Sequence, residues 1–142
     1  MIAQVRIARA TDRLNRILCF YRDGIGLPML GGFEDHAGYD GVIVGLPGAD
    51  RQLEFTQHVN PVRRSPPGGD DLLVLYYVDA AERDAVVARL ASLGFAPVSP
   101  ENPFWNDSGV TVPDPDGFRV VLFAGQFEPG HLPARFAKGS ST

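Results

Sequence analysis

The feature that most limits what this chain can become is that it states its pattern of polar and apolar residues twice. Gln4 to Ala10 alternates like a short strand, and Asp12 to Asp23 places Leu14, Ile17, Leu18 and Tyr21 at helical spacing. That spacing predicts a helix capped by Thr11 or Asp12 and ended at Gly24. Three strand-like runs follow, Leu27 to Phe33, Tyr39 to Leu46 and Gln52 to His58, separated by the turn-forming stretches Glu34–Gly38 and Pro47–Asp50. The connector Val59 to Asp71 carries three prolines and two glycines. Then the pattern restarts: a strand at Leu72 to Val78, a helix at Ala80 to Leu93 ended by Gly94, and strands at Phe95 to Ser99, Gly109 to Val112 and Phe118 to Ala124. The glycines Gly26 and Gly94 set the two copies in a register offset of 68 residues (26 to 94).

The expected fold class is α+β: one domain of two βαβββ modules, at about residues 4–58 and 72–124, with a linker at 59–71 and a tail at 125–142. Each module curls its strands around a hollow and keeps its helix outside, so the strand faces turned from the helices would line a shared cavity. The stretch Arg51–His58 shows what such faces carry. Leu53 and Phe55 point one way, under a helix, whereas Gln52, Glu54, Thr56 and His58 point the other, into the hollow.

At 142 residues and 44% hydrophobic content the chain can bury one core. Its net charge of -4 comes from scattered acids, and Arg63-Arg64 is the sole basic cluster, which argues against nucleic acid as a partner. The N-terminal residues lack a signal-peptide pattern and no apolar run reaches the ~18 residues needed to span a bilayer, so a cytoplasmic protein with no membrane partner is expected. One cysteine, Cys19, excludes an internal disulfide, and its apolar helical setting marks it as a small buried hydrophobe rather than a catalytic thiol. No phosphate-binding glycine loop or serine-hydrolase elbow is present.

Three stretches carry a resemblance. Phe20-Tyr21-Arg22-Asp23-Gly24-Ile25-Gly26-Leu27, Gln52-Leu53-Glu54-Phe55 and Asp114-Pro115-Asp116-Gly117 with the strand to Leu122 together resemble the vicinal oxygen chelate superfamily, which includes glyoxalase I, the bleomycin-resistance proteins and the extradiol dioxygenases. The resemblance covers about residues 4 to 125. It implies that metal-dependent relatives hold a divalent ion with four side chains, one on the first and one on the fourth strand of each module. Here those positions fall on Arg6, Glu54, Leu73 and Val121, so three of the four ligands are missing and neither a metal nor another cofactor is expected. An Arg6–Glu54 pair would close the place of the ion, either neutralising a cavity floor or contacting a ligand.

Alternation along the strands extends this set. Ala8, Thr56, His58, Leu75, Tyr77, Phe123 and Thr111 share the cavity faces, and Val74 and Tyr76 are assigned to the helix side. The aromatic loop bearing Phe104 and Trp105 is a lid, a dimer contact or a plug at the end of the sheet. The expected ligand-binding residues are thus Arg6, Glu54, Thr56, His58, Leu73, Tyr77, Trp105, Val121 and Phe123. They suit a metal-free binding protein of the bleomycin-resistance type, with a small organic ligand as one partner and a second copy of itself, in a homodimer, as the other. The alternative is a lyase or isomerase with Glu54 as general base and Arg6 stabilising an oxyanion, or with a metal on relocated ligands such as Glu54, His58 and His36.

Overall fold

The computed structural model describes residues 1–61 and 64–138. Arg63, half of the basic pair, thus lies outside the described residues. The first module runs β1 (Val5–Ala10), α1 (Leu14–Leu18) widening into a π-helical segment (Cys19–Ile25), β2 (Met29–His36), β3 (Tyr39–Gly45) and β4 (Arg51–His58). The second runs β5 (Leu72–Tyr77), α2 (Ala80–Ser92), a 3-10 turn (Pro103–Asn106), β6 (Gly109–Pro113) and β7 (Arg119–Ala124). The strands form two sheets, in the orders β1-β4-β3-β2 and β5-β7-β6. In each sheet the first strand is parallel to the last and the other pairings are antiparallel. The class is therefore α+β, and the sheets do not close into a barrel. Among the described residues no helix is long and apolar enough to cross a membrane.

Two local expectations need correction. The run Phe95 to Ser99 forms no strand and gives only the isolated bridge Val98–Thr111. Pro97 and Pro100 bring no amide donors to a ladder, and Phe95 turns into the core, where its ring meets Phe20 at 5.1 Å. Nor does Gly24 end the first helix. Helical structure continues through it to Gly26, whose φ of +89° is the left-handed stop. Gly24 serves packing instead, because any Cβ there would overlap the Leu90 side chain of α2. The start of α1 is likewise held from outside: Thr11 Oγ1 accepts from the Arg13 amide at 3.0 Å, and Gln57 of β4 accepts from the Leu14 amide at 3.0 Å. In α2 the cap is local, with Asp79 accepting from the Glu82 amide at 2.9 Å and Gly94 at φ +94° ending the helix.

Both modules share one core. Ile17, Phe20 and Tyr21 from the first helix join Val44, Leu53 and Phe55 from the first sheet, Leu90 from α2, and Val112, Val120 and Leu122 from the second sheet. Polar ties cross the same seam. Arg89 of α2 donates to the carbonyls of Gly24 and Ile25 at 2.7 and 3.3 Å, satisfying acceptors that the end of the first helix leaves open. Tyr21 donates its hydroxyl proton to Asp114 at 2.6 Å. The helical segments thus bind the modules to each other, and each sheet keeps one face turned from its helix. Among the described residues no hydrogen bond, ion pair or ring contact joins those two open faces.

Candidate functional site

The open face of the first sheet is polar. The parallel register sets Arg6 beside Gln52 and Ala8 beside Glu54, and the antiparallel one sets Ile43 beside Glu54 and Gly41 beside Thr56. Arg6 donates through Nε to Gln52 Oε1 at 2.9 Å and through Nη1 to Glu54 Oε2 at 3.5 Å. Gln52, itself buried, is fixed by donating to the Ala49 carbonyl at 2.6 Å. Side-chain exposures of 43% for Arg6 and 18% for Glu54 make this a half-open pair rather than the floor of a closed pocket. Toward the strand end, Thr56 is half-buried and His58 meets the Tyr39 ring at 4.5 Å. His58 Nδ1 lies 3.0 Å from the Asn60 amide nitrogen and 3.3 Å from the Asn60 carbonyl, contacts that anchor the ring to the strand exit. Phe33 of β2 folds over Gly41, where any side chain would collide with its ring, and His36 lies 6.2 Å from Phe33.

The open face of the second sheet is aromatic. Val74 pairs with Val121 and Tyr76 with Phe123, while Thr111 lies opposite Val121 and Gly109 opposite Phe123. The Phe123 ring sits 5.5 Å from Tyr76, 5.8 Å from Trp105 and 6.5 Å, stacked, from Phe104. Trp105 meets Phe104 edge to face at 4.9 Å. Tyr76 and Phe104 remain 46% and 62% exposed, although Val121 and Thr111 beneath them are fully buried. The hydroxyl of Thr111 is buried without a hydrogen-bond partner among the described residues.

This arrangement corrects the assignment along β5. Leu73, Leu75 and Tyr77 pack against the helix-side core, and Val74 and Tyr76 occupy the open face. Burial raises the Tyr77 phenol, and Arg89 and Glu82, both on α2, are the charges it feels. A strand has a side-chain period of two, so an error of one residue exchanges its faces completely. The glycine offset of 68 residues (26 to 94) carries Arg6 to Val74, whereas the open-face positions Glu54 and Val121 are 67 apart (54 to 121). One residue is lost between the first and last strands of the second module, and applying the shorter offset throughout places Leu73 on the wrong side. Of the expected set, the structure brings Arg6, Glu54, Thr56 and His58 together on one face and Trp105, Val121 and Phe123 on the other. Tyr76, Phe33 and Tyr39 are additions. The first had a signal in the glycine offset, and the ring packing over Gly41 had none in the sequence.

Between the modules, Tyr21 and Asp114 form a buried pair. Burial and then the Asp114 charge hold the Tyr21 phenol well above its ordinary range. Burial also pushes the Asp114 carboxyl up, opposed by hydrogen bonds from Tyr21 and from the Asp116 and Phe118 amides. These residues belong to two of the motifs noted in the sequence, and their role in the structure is to lock the helix of one module to the β6–β7 turn of the other.

The fold and the two faces together define a vicinal oxygen chelate protein. Residues 5–56 match the YycE-like N-terminal domain and residues 70–124 the YycE-like C-terminal domain. The chain is 47% identical over 120 residues, 84% of its own length and 86% of the relative's, to the uncharacterized protein YycE of Bacillus subtilis strain 168. It therefore belongs to the YycE-like family. A crystal structure of YycE from Bacillus subtilis, described as of unknown function and grouped with glyoxalase/fosfomycin resistance proteins, superposes with a TM-score of 0.87 at 44% identity, covering 92% of this chain and 95% of that one. The fold also matches the trypanothione-dependent glyoxalase I of Leishmania major (TM-score 0.66, 17% identity, 85% of each chain). A further match is the antibiotic-binding protein TnmS3 of Streptomyces sp. CB03234 (TM-score 0.59, 24% identity, 87% of this chain and 95% of that one).

The residues present do not fit the superfamily's divalent ion. Arg6, Glu54, Val74 and Val121 take the four ligand positions on the first and last strands of the two modules, and of these four only Glu54 is a donor a cation can use. Among the described residues no three His, Cys, Asp or Glu side chains converge anywhere, so Glu54, His58 and His36 are not gathered into a relocated set.

Proposed function

We propose that this chain is a small-molecule binding protein that holds a flat, largely aromatic ligand on the open face of its second sheet, without a metal. The observation that carries this reading is the cluster of Tyr76, Phe104, Trp105 and Phe123, four rings on one sheet face with two of them substantially exposed. Tyr76 and Trp105 pack edge to face on Phe123 while Phe104 stacks parallel to it, an arrangement that leaves planar surface for a planar guest. Burial of apolar surface, at about 25 cal/mol per Å², is the source of affinity such a face can offer. The donor-poor faces favour sequestration over metal-assisted chemistry. The Thr111 hydroxyl, without a partner among the described residues, shares that sheet face and is the kind of single polar group that orients a ligand in an otherwise apolar site.

A second copy of the chain is the proposed partner in the assembly. Strand β1 pairs with β4 on one side only, and Val5 and Ile7 beside that open edge are about half exposed. An unpaired, apolar strand edge is a template for another chain. Sedimentation at micromolar concentration is expected to give a dimer, and a monomer would contradict the assignment.

The ligand reading has a built-in reporter, because Trp105 is the only tryptophan. Titration with anilinonaphthalene sulfonate and a polycyclic quinone in the presence of EDTA is expected to change Trp105 emission saturably, and Phe123→Ala to weaken binding about tenfold. Saturation that needs added metal, or that is indifferent to Phe123, would defeat the proposal.

A further inference from the structure

A separate cavity of about 560 Å³ lies away from the aromatic cluster, where the end of β1, the connector and the β6–β7 turn meet. Its lining includes Arg9, Thr11, Arg13, Arg64, Asp116 and Phe118. We propose that it is a binding site for a small oxyanion, a carboxylate or phosphate group, with Arg9 as the residue that grips it.

The state of Arg9 carries the argument. Its guanidinium carbon lies over the Phe118 ring, 4.0 Å from the centroid. Among the described residues it makes no hydrogen bond and no ion pair, and its Nη1 is buried without an acceptor. A buried, unpaired N–H of a permanent cation is one of the more costly groups a fold can retain. The other cations in the cavity are already engaged. Arg13 donates to the Pro115 carbonyl at 2.7 Å, and Arg64 pairs with Asp12 at 3.4 Å. Three arginines against Asp12 and Asp116 leave the lining one positive charge in excess (3 − 2). A planar guanidinium set over a ring and short of an acceptor suits a two-oxygen anion, which it can meet with two parallel hydrogen bonds. The volume falls within the range of small-ligand sites. Phosphate and carboxylate groups share this chemistry, and the test separates them.

The test uses the whole chain, titrated separately with inorganic phosphate and with acetate. Nitrogen–proton correlation spectra follow the Arg9 side chain and the amides of Thr11, Asp116 and Phe118. Saturable shifts confined to these groups are expected, with half-saturation near or below about 1 mM for at least one probe. Phosphate alone would mark a phosphate-bearing ligand, and acetate alone a carboxylate. In Arg9→Met the saturable shift is expected to vanish, and in Arg9→Lys, which keeps the charge but not the fork, to weaken about tenfold. Arg22→Lys, on an exposed arginine paired with its neighbour Asp23, controls for general charge. If Arg9→Met does not fold, the lysine variant decides: affinity equal to the unaltered chain overturns the proposal. No saturation by either probe, or saturation unaffected by Arg9, overturns it as well.

Discussion

The two open sheet faces come from the same duplicated pattern and have opposite chemistry. The first presents Arg6, Gln52, Glu54 and His58, tied to one another or to nearby backbone by hydrogen bonds. The second presents Val74, Tyr76, Val121 and Phe123, with Phe104 and Trp105 packed on Phe123 and no charged group among them. The helix-side faces have not diverged in this way, since both feed one apolar core. The difference teaches that a duplicated module is constrained where it packs and free where it faces out. It also accounts for the poor fit of a shared divalent ion, because one face supplies a single carboxylate and the other supplies no carboxylate or imidazole.

The largest effect is expected where the modules are alike. Phe20 packs edge to face on Tyr21 at 4.8 Å and on Phe95 at 5.1 Å. Phe20→Ala should cost about 3–5 kcal/mol in urea unfolding, and both modules should melt in one transition. Two separate transitions would break the idea of a common core. Next, Tyr21→Phe leaves the buried Asp114 carboxyl short of a donor and should cost about 2 kcal/mol. Tyr21's hydrogen bond holds the Asp114 value down, so its removal should move that carboxyl's titration further upward in a carbon-detected pH series. Because the folded-state value already lies above the ordinary one, Asp114's contribution is fully present below the unfolded value and is lost as pH rises through the folded one. Phe123→Ala should cost only about 1–2 kcal/mol, as its ring is partly exposed, while removing most of the binding surface.

The smallest effects belong to the polar face. A double-mutant cycle on Arg6 and Glu54 should give a coupling of about 0–1 kcal/mol, the scale of an exposed pair at 3.5 Å. A coupling near 3 kcal/mol would mean that this face is closed off and that the contrast between the faces is misdrawn. Added zinc should leave the melting temperature unmoved, since among the described residues no donor set links metal to folding.

Much of this was legible in the sequence because periodicity reports what is buried. The helical spacing of Ile17 and Tyr21, the alternation around Leu53 and Phe55, and the register set by Gly26 and Gly94 identified the modules and most of the core. The sequence was silent or misleading where a single residue decides. Pro97 and Pro100 reduce an apolar run to one bridge, and the residue lost within the second module turns Leu73 and Tyr77 inward and Tyr76 outward. Alternation says which residues share a face; it does not say which face meets the helix unless the offset is known at that strand. Arg9 gave no signal at all, since its cavity is assembled from three segments distant in the chain.

The most direct test of the contrast is a map of where an aromatic ligand sits. With aromatic side chains isotopically labelled and the polycyclic quinone bound in EDTA, intermolecular nuclear Overhauser contacts are expected from the quinone to Tyr76, Phe104, Trp105 and Phe123. Contacts confined to Phe33 and Tyr39 on the polar sheet, or appearing only after a divalent metal is added, would contradict the account.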